Sequence, residues 1–446
     1  MFPRANLKFL YTLASIVFVI LGTFLAIQYA KGNYRFNQGK VVSQSGLLAA
    51  NSFPPGAEIY VDGKLVSATD DTIYLEPGEY QIKIVKEGYS PWEKKLTIEK
   101  ELVSQTNALL FPKVPSLSPL TFTGVENVTP SPDGQKLLYF TASASAQTKN
   151  GLYLLELTNN FLSLQKGAKQ ISPNSVAIDL STSGIIWSPD STEIMVSDLN
   201  RSYLIDTNKI NEIATLPSIK LQQKSILSKW EEDIYVRERQ FLSKFPEEII
   251  RIATQSAKNV YLSPDKERMI YTAIATVNIP EGIVPPLPAT NTQPETRELK
   301  PGFVYIYDRK EDKNFLIGLE EQATSSSKKL LSIDLANKEA LSFASSPSAF
   351  QTLQSTVSAQ TVNNFSSYYS ALYVNQYQWF PDSKHIVYTK DNQIHIMEYD
   401  GSNDTTVYSG PFENHFVYPW PDSSKLIIST SFSPKTPPNL YAIELK

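Results

Sequence analysis

A Pro-Asp unit recurs five times between residues 131 and 429, and this repetition limits the possible folds more than any other feature of the chain. Each copy joins the dipeptide to a short polar stretch and then to an apolar run rich in β-branched and aromatic residues. The copies read SPDGQKLLYF from Ser131, SPDSTEIMVS from Ser188, SPDKERMIYT from Ser263, FPDSKHIVYT from Phe380 and WPDSSKLIIS from Trp420. A unit that recurs in this way predicts a repeat architecture.

The chemistry of the unit predicts a turn between two antiparallel strands. Proline presets φ at the second position of a type I turn, aspartate is tolerated at the third, and a glycine such as Gly134 suits the fourth. A third apolar run follows each copy, as in GLYLLEL from Gly151 and QIHIMEY from Gln393. Each copy therefore predicts a small sheet of three or four strands. Such sheets bury one another's faces when stacked radially, which predicts a β-propeller.

The spacing of the copies predicts about five to six blades with insertions. Successive aspartates of the repeats are separated by 57, 75, 117 and 40 residues. Only the last interval fits a bare blade, and the interval of 117 residues leaves room for a degenerate sixth blade. The segment SPLTFTG at 118–124 precedes the first copy without a partner of its own. We expect it to pair with the last blade, whose final strand ends the chain, because this closure removes open sheet edges.

The longest intervals contain one helical and two flexible insertions. Apolar residues fall at helical spacing within 219–258, and Pro246 followed by two glutamates is typical of a second helix start. The apolar stripe consists of Leu227, Trp230, Ile234, Phe241 and Phe245. These residues either pack on the protein's own sheets or form a docking site for a partner. Residues 279–301 are Pro-rich and 322–370 are rich in Ser, Thr, Ala and Gln, which favours flexible excursions.

The N-terminal region predicts a membrane anchor. After a short tail at 1–8, residues 9–30 carry no charge, and these 22 residues would span roughly 33 Å as a helix. A cleaved signal peptide is the alternative, but its apolar region is normally about 7–15 residues long. The predicted topology places the large domain outside the cytoplasm. Basic residues flank the span almost equally, so the opposite topology stays open as an alternative. A linker at 31–45 follows.

Residues 46–112 predict a small β-sandwich. Ile59 and Val61 alternate with polar neighbours, and Asp62-Gly63 and the segment 76–79 supply turns. The stretch resembles a PEGA domain, although Pro55 stands where the namesake motif has Glu. The matching segments are PPGA from Pro54, YVDGK from Tyr60, EPGEYQIKI from Glu76 and EGYSPWEKKLTI from Glu87. The resemblance implies a binding or spacer module of a bacterial or archaeal surface protein.

The Pro-Asp copies, assigned to a domain at 113–446, resemble the TolB-like, WD-repeat-like propellers of bacterial envelope proteins. The similarity rests on the motifs that begin at Ser131, Trp187, Ser263 and Trp379, each with its following strand. The resemblance implies binding of proteins or small ligands at the ends of a central channel. It leaves the function open, because this fold carries many unrelated activities.

Composition and motifs give no support for catalysis, a metal or a cofactor. The chain has no cysteine, which excludes thiolate metal sites and cysteine nucleophiles. It lacks the nucleophile elbow, the phosphate-binding glycine loops and the zinc-protease motif. His385, His395 and His415 are the only histidines, and His395 is expected to be an ordinary strand residue. Local hydrogen bonds explain the repeated aspartates, and DGSND at 400–404 is interpreted as a hairpin tip rather than a calcium loop.

These features predict a membrane-anchored, extracytoplasmic protein of the cell envelope that binds or scaffolds without catalysing a reaction. Its expected ligand is another envelope protein or a cell-wall polysaccharide. Nucleic acid is disfavoured, because the chain carries 45 acidic against 41 basic residues and five of the basic ones lie within residues 1–40. Two alternatives remain: a propeller-based hydrolase or lyase with its site at the channel mouth, and a subunit of a surface layer or secretion assembly.

Overall fold

A computed structural model describes residues 7–30, 35–37, 40–42, 45–158, 167–288, 291–320, 377–413, 416–433 and 436–446. The chain divides into two compact units. Unit one comprises Met1–Leu110 and Pro286–Pro294, and unit two comprises Phe111–Pro285 and Glu295–Lys446. The predicted insertion at 322–370, and with it most of the interval proposed for a sixth blade, lies outside the described residues.

A helix, α1, forms over Leu7–Ala30, where the anchor was predicted. Among the described residues, however, no helix is long and apolar enough to cross a membrane. The prediction of a single-pass membrane protein with an extracytoplasmic domain is corrected accordingly.

Unit one contains the two-sheet domain expected at 46–112. One sheet has the strand order β6-β3-β9 and the other β5-β4-β7-β8. Asp62 and Gly63 join β4 to β5 with φ angles of 48° and 77°, a pair of positive values that fits the predicted two-residue hairpin turn. The two sheets share one apolar core that includes Ile59, Ile82 and Trp92. The strands of unit one are β1 (Arg35–Asn37), β2 (Lys40–Val42), β3 (Gly46–Phe53), β4 (Glu58–Val61), β5 (Lys64–Ala68), β6 (Asp71–Leu75), β7 (Gly78–Val85), β8 (Trp92–Ile98) and β9 (Val103–Leu109).

The described residues of unit two form five antiparallel sheets of three or four strands, which we number one to five. Sheet one contains β11 (Glu126–Pro130), β12 (Lys136–Thr141), β13 (Gly151–Glu156) and β14 (Lys169–Pro173). Sheet two contains β15 (Gly184–Trp187), β16 (Glu193–Ser197) and β17 (Ser202–Asp206). Sheet three contains β18 (Ala257–Leu262), β19 (Arg268–Ala273), β22 (Phe303–Asp308) and β23 (Lys313–Leu319). The ribbon of β20 (Val277–Asn278) and β21 (Glu298–Leu299) lies in the excursion between β19 and β22.

The last two sheets complete the series. Sheet four contains β24 (Tyr377–Trp379), β25 (His385–Lys390), β26 (Gln393–Glu398) and β27 (Thr405–Ser409). Sheet five contains β10 (Leu117–Pro119), β30 (Asn439–Glu444), β29 (Lys425–Thr430) and β28 (Val417–Pro419). Leu117 pairs with Ile443 and Pro119 with Tyr441. The early strand therefore completes the last sheet, as the sequence predicted, although it is shorter than the segment 118–124.

Helices interrupt the series of sheets between sheet two and sheet three. Helix α2 spans Gln223–Leu242 and α3 spans Glu247–Gln255, which confirms the predicted helical insertion. Glu247 and Glu248 lie in the first turn of α3, where acidic side chains favour the positive end of the helix dipole.

The mainly β class is confirmed, but the predicted propeller is not. Backbone hydrogen bonds between strands connect the strands of one sheet but do not connect one sheet to the next. The described sheets are not closed into a barrel or a propeller. Sheet one shares an apolar cluster with sheet two, and sheet three shares another with sheet four. Between sheets two and three, the apolar faces turn to the inserted helices instead. Met195 of sheet two packs on α2, and Met269 of sheet three packs in the cluster of α3.

Candidate functional site

The five Pro-Asp turns lie at 131–134, 188–191, 263–266, 380–383 and 420–423. In the first three, the serine hydroxyl donates to Oδ1 of the aspartate at 2.5–2.6 Å, and this oxygen also accepts the backbone N–H two residues later. The hydrogen bond from Ser188 is the main reason why the pKa of Asp190 lies below its ordinary value. These carboxylates therefore stabilise their own turns, as the sequence predicted.

Neighbouring turns are also joined to one another. The N–H of Asp133 donates to Oγ of Ser191 at 3.2 Å, and the N–H of Asp265 donates to Oγ of Ser383 at 3.0 Å. Both serines occupy the position after aspartate, where the backbone is left-handed with φ of 61° and 62°. Both are almost fully buried. The hydroxyl at this position therefore couples sheet one to sheet two and sheet three to sheet four.

The fourth turn replaces serine with Phe380. There, Nδ1 of His385 lies 2.6 Å from Oδ2 of Asp382. Burial alone would raise the pKa of Asp382, but the charge and hydrogen bonds of His385, together with backbone N–H groups, hold that pKa below its ordinary value. His385 is 4% exposed and packs edge-on against Phe111 and Phe380. This histidine therefore belongs to the structure of the turn.

Helix α2 supplies the contacts at the second and third turns. Arg237 donates from Nη1 to the carbonyl oxygen of Pro189 at 3.3 Å. The ammonium groups of Lys266 and Lys244 lie 5.3 and 5.5 Å from the centre of the Phe241 ring. Burial raises the pKa of the Glu238 carboxyl to about 7, against the opposing charges of Lys266 and Arg237. This shift makes Glu238 the most perturbed carboxyl of the helical insertion.

The predicted apolar stripe is divided between two clusters. Leu227 and Trp230 are buried with Met195, and Ile234 is partly buried beside them. Phe245 is buried in the cluster of α3 and sheet three, whereas Phe241 is half-buried beneath its two lysines. Packing within the chain therefore accounts for these side chains, and partner docking through them stays a prediction.

A polar cluster on sheet four was missed in the sequence. The hydroxyl of Tyr388 donates to Oδ2 of Asp404 at 2.6 Å, and Nδ1 of His395 lies 3.4 Å from Oδ1 of the same residue. The rings of Tyr388 and His395 stack with centroids 5.0 Å apart. Burial and the hydrogen bond to Asp404 raise the pKa of Tyr388 well above its usual range. Tyr388 and His395 are cross-strand partners, so only the register of β25 and β26 reveals the cluster.

Metal ligation finds little support in the part of the chain that the structure describes. No group of three potential ligands occurs there. His385 and His395 each lie beside an aspartate of their own, and His415 lies outside the described residues. The segment 400–404 joins β26 to β27, which confirms the predicted hairpin tip, and Oδ1 of Asp400 accepts hydrogen bonds from Ser402 within it.

Exposed apolar side chains lie at the other ends of the sheets, which we call the loop end of unit two. Val176, Leu199 and Leu221 have exposed fractions of 103%, 82% and 95%, and Phe122 and Phe432 are exposed in the loops of sheet five. The sequence analysis predicted none of the five as exposed, because none belongs to a periodic apolar pattern, and Phe122 lies in the segment 118–124 that was expected to form a strand. The sequence therefore offers no signal by which they can be found.

Comparison with known proteins identifies the small domain. The profile of the PEGA domain matches residues 45–112, which confirms the prediction for this segment. None of the curated proteins compared with the chain is a significant match.

Two solved structures of TolB are among the structural neighbours. The putative TolB from Agrobacterium tumefaciens is 13% identical, and the match covers 71% of this chain and 76% of that chain with a TM-score of 0.20. TolB from Acinetobacter baumannii is 9% identical over 82% of this chain and 60% of that chain, with a TM-score of 0.20. An oligogalacturonate lyase in complex with manganese is 12% identical over 90% and 91%, again with a TM-score of 0.20. TM-scores of this size carry no argument about the arrangement of the sheets or about activity.

Proposed function

We propose that the chain is a non-catalytic binding or scaffold protein associated with the cell envelope, and that it recognises another envelope protein or a cell-wall polysaccharide. The PEGA match supports the association with the envelope, because the PEGA resemblance implies a module of a surface protein. The sequence supports the absence of catalysis in this proposal, because it contains none of the catalytic motifs considered above.

The observation that carries the non-catalytic proposal is the use of the repeated carboxylates. Oδ1 of Asp133, Asp190, Asp265, Asp382 and Asp422 accepts the backbone N–H two residues later. A carboxylate that holds its own turn is a poor general base, because leaving the bond would release the backbone group it satisfies. Repetition of the motif therefore reflects the fold rather than a reaction.

The proposal is tested with the full chain and purified cell-wall polysaccharide. Sedimentation of the insoluble polymer measures binding, and the appearance of new sugar ends measures cleavage. We expect binding or, failing that, recovery of one defined envelope protein after crosslinking, with no cleavage in either case. Cleavage that depends on the chain would refute the non-catalytic proposal.

The polar cluster on sheet four favours a second candidate, a hydrolase or lyase. In this cluster the phenol of Tyr388 donates to the carboxylate of Asp404, and the imidazole of His395 stacks on the phenol with Nδ1 3.4 Å from that carboxylate. Such groups are suited to general acid–base catalysis. In this case His395→Gln and Asp404→Asn should abolish cleavage while leaving sedimentation with the polymer unchanged. If both variants keep the activity of the parent chain, the cluster is not the source of it.

A further inference from the structure

We propose that three loop tips at the loop end of sheet two form a lipid-contact site that inserts its aliphatic side chains into an anionic membrane surface. The tips are Val176, Leu199 and Leu221, and we call them the aliphatic tips. This inference rests on their exposure, their proximity and the charges around them, and it is independent of the ligand proposed above.

The side chains of the three aliphatic tips are almost fully exposed to solvent. Their exposed fractions of 82% to 103% mean that each side chain projects from its loop instead of lying along the protein surface. Apolar side chains are expelled from water in proportion to the area they expose. The tips therefore gain most from an environment that can surround them.

Direct hydrogen bonds hold the three loops together. Nη1 of Arg201 donates to the carbonyl oxygen of Ala177, which follows Val176. Nζ of Lys220 donates to the carbonyl oxygen of Asp198 at 3.0 Å, so the residues before Leu221 and Leu199 are in contact. Each bond therefore involves a residue adjacent to a tip, and the tips form one local group.

The charge around the aliphatic tips has a small positive excess, because three basic side chains lie near two carboxylates. Arg201 and Lys224 are exposed and Lys220 is half-buried, and no ion pair to a carboxylate is found for these three residues in the described part of the chain. The two carboxylates of the same loops are engaged locally. Oδ1 of Asp179 accepts hydrogen bonds from the backbone N–H and the hydroxyl of Ser181. Oδ1 of Asp198 accepts hydrogen bonds from the N–H groups of Asn200 and Arg201. A net positive charge beside apolar tips complements an anionic surface.

The shape of the group favours lipid over a folded protein partner. A protein interface packs at interior density, so a rigid partner would need a separate pocket for each projecting side chain. Acyl chains and headgroups deform around such projections, and interfacial binding adds apolar burial to electrostatic attraction. The aliphatic tips match this second kind of contact.

The test places one reporter on a tip and one at the opposite end of the same sheet. The chain has no cysteine, so Leu199→Cys and Ile210→Cys can each be labelled singly with an environment-sensitive nitrobenzoxadiazole dye. Ile210 is also exposed, at 66%, but it follows Thr207, whose N–H and hydroxyl bond to Thr192 beside the second Pro-Asp turn. The full chain is mixed with vesicles of phosphatidylcholine, with or without phosphatidylglycerol. We expect the emission of the Leu199 label to shift to shorter wavelength with phosphatidylglycerol vesicles and the Ile210 label not to shift.

Comparing two labels on one chain separates contact by the tips from attachment of the chain through any other segment, including α1. Adding Val176→Ser and Leu221→Ser to the Leu199-labelled chain should remove most of the shift, and Lys220→Glu with Lys224→Glu should weaken it on anionic vesicles. Equal shifts at both labels, or none at either, would overturn the proposal. A shift at Leu199 that envelope proteins produce and vesicles do not would replace lipid with a protein partner.

Discussion

The two ends of sheet two differ in almost every physical respect. At the turn end, Ser188, Asp190 and Ser191 form hydrogen bonds within the turn and to sheet one, and Ser191 is completely buried. At the loop end, Leu199 and its neighbour Leu221 project into solvent. The turn end repeats along the sequence, whereas the loop end does not.

This difference indicates which end is constrained by folding. A buried polar group must keep its partner, so the turn end accepts few substitutions without loss of stability. Exposed side chains are constrained weakly by the fold, and apolar residues that are exposed together in one local group are typical of an interaction site. We therefore assign stability to the turn end and recognition to the loop end.

The largest effect is expected on α2, which runs from the loop end to the turn end. Trp230 is 7% exposed and packs beside Leu227 and Met195. Trp230→Ala should lower the free energy of unfolding by about 3–5 kcal/mol, the usual loss for a buried tryptophan. Val236, which is 49% exposed on the same helix, serves as the control, and Val236→Ala should change stability by less than about 0.5 kcal/mol.

Thermal melting and partner recovery together decide the role of the stripe. If Trp230→Ala leaves melting unchanged but abolishes recovery of an envelope partner, the stripe is a docking site and not a packing surface. If it alters neither, the stripe has been misinterpreted.

A smaller loss is expected for the serine that links two turns. Ser191→Ala removes the acceptor of the Asp133 N–H and should cost up to about 1.5 kcal/mol, the net contribution of one hydrogen bond that is partly buried. Ser423 holds the same place in the fifth turn with φ of 62°, and no described neighbouring turn bonds to its hydroxyl. Ser423→Ala should therefore cost less in the same urea titration. Equal losses in the two variants would show that the hydrogen bond between the two turns does not contribute to stability.

A still smaller effect should appear in the pH dependence of stability. The folded pKa of Glu238, about 7, exceeds the ordinary value of 4.5. Between these values the folded state keeps a proton that the unfolded state loses, so stability falls as pH rises and then levels off above pH 7. Because Glu238 retains contact with water, we expect only about 1 kcal/mol from this source. Glu238→Gln should flatten this part of the curve when melting is followed from pH 5 to 8, and an unchanged slope would contradict the assignment.

Much of the fold follows from local patterns in the sequence. The Pro-Asp turns, the two inserted helices and the hairpin at Asp62-Gly63 follow from turn chemistry or apolar periodicity. The pairing of β10 with β30 follows from the need to cover an open sheet edge. The predicted closure into a propeller does not follow from these local patterns. Repetition of a unit does not specify what lies between units, and here the helices occupy the faces between sheets two and three.

The candidate sites were less accessible to sequence reasoning. His395 and Asp404 are separated by a turn in the chain, and the cluster with Tyr388 depends on the register between strands. The aliphatic tips come from three loops that follow β14, β16 and β17, and only tertiary contacts such as Lys220 to Asp198 bring them together. In both cases, long-range geometry creates the site.

The assignment of stability to one end and recognition to the other is tested most directly by urea unfolding of two triple variants. One carries Ser131→Ala, Ser188→Ala and Ser263→Ala at the turn end, and the other carries Val176→Ser, Leu199→Ser and Leu221→Ser at the loop end. We predict a loss of about 3 kcal/mol for the first, near 1 kcal/mol for each hydroxyl, and a change below about 0.5 kcal/mol for the second. Equal losses, or a larger loss from the loop end, would contradict the account.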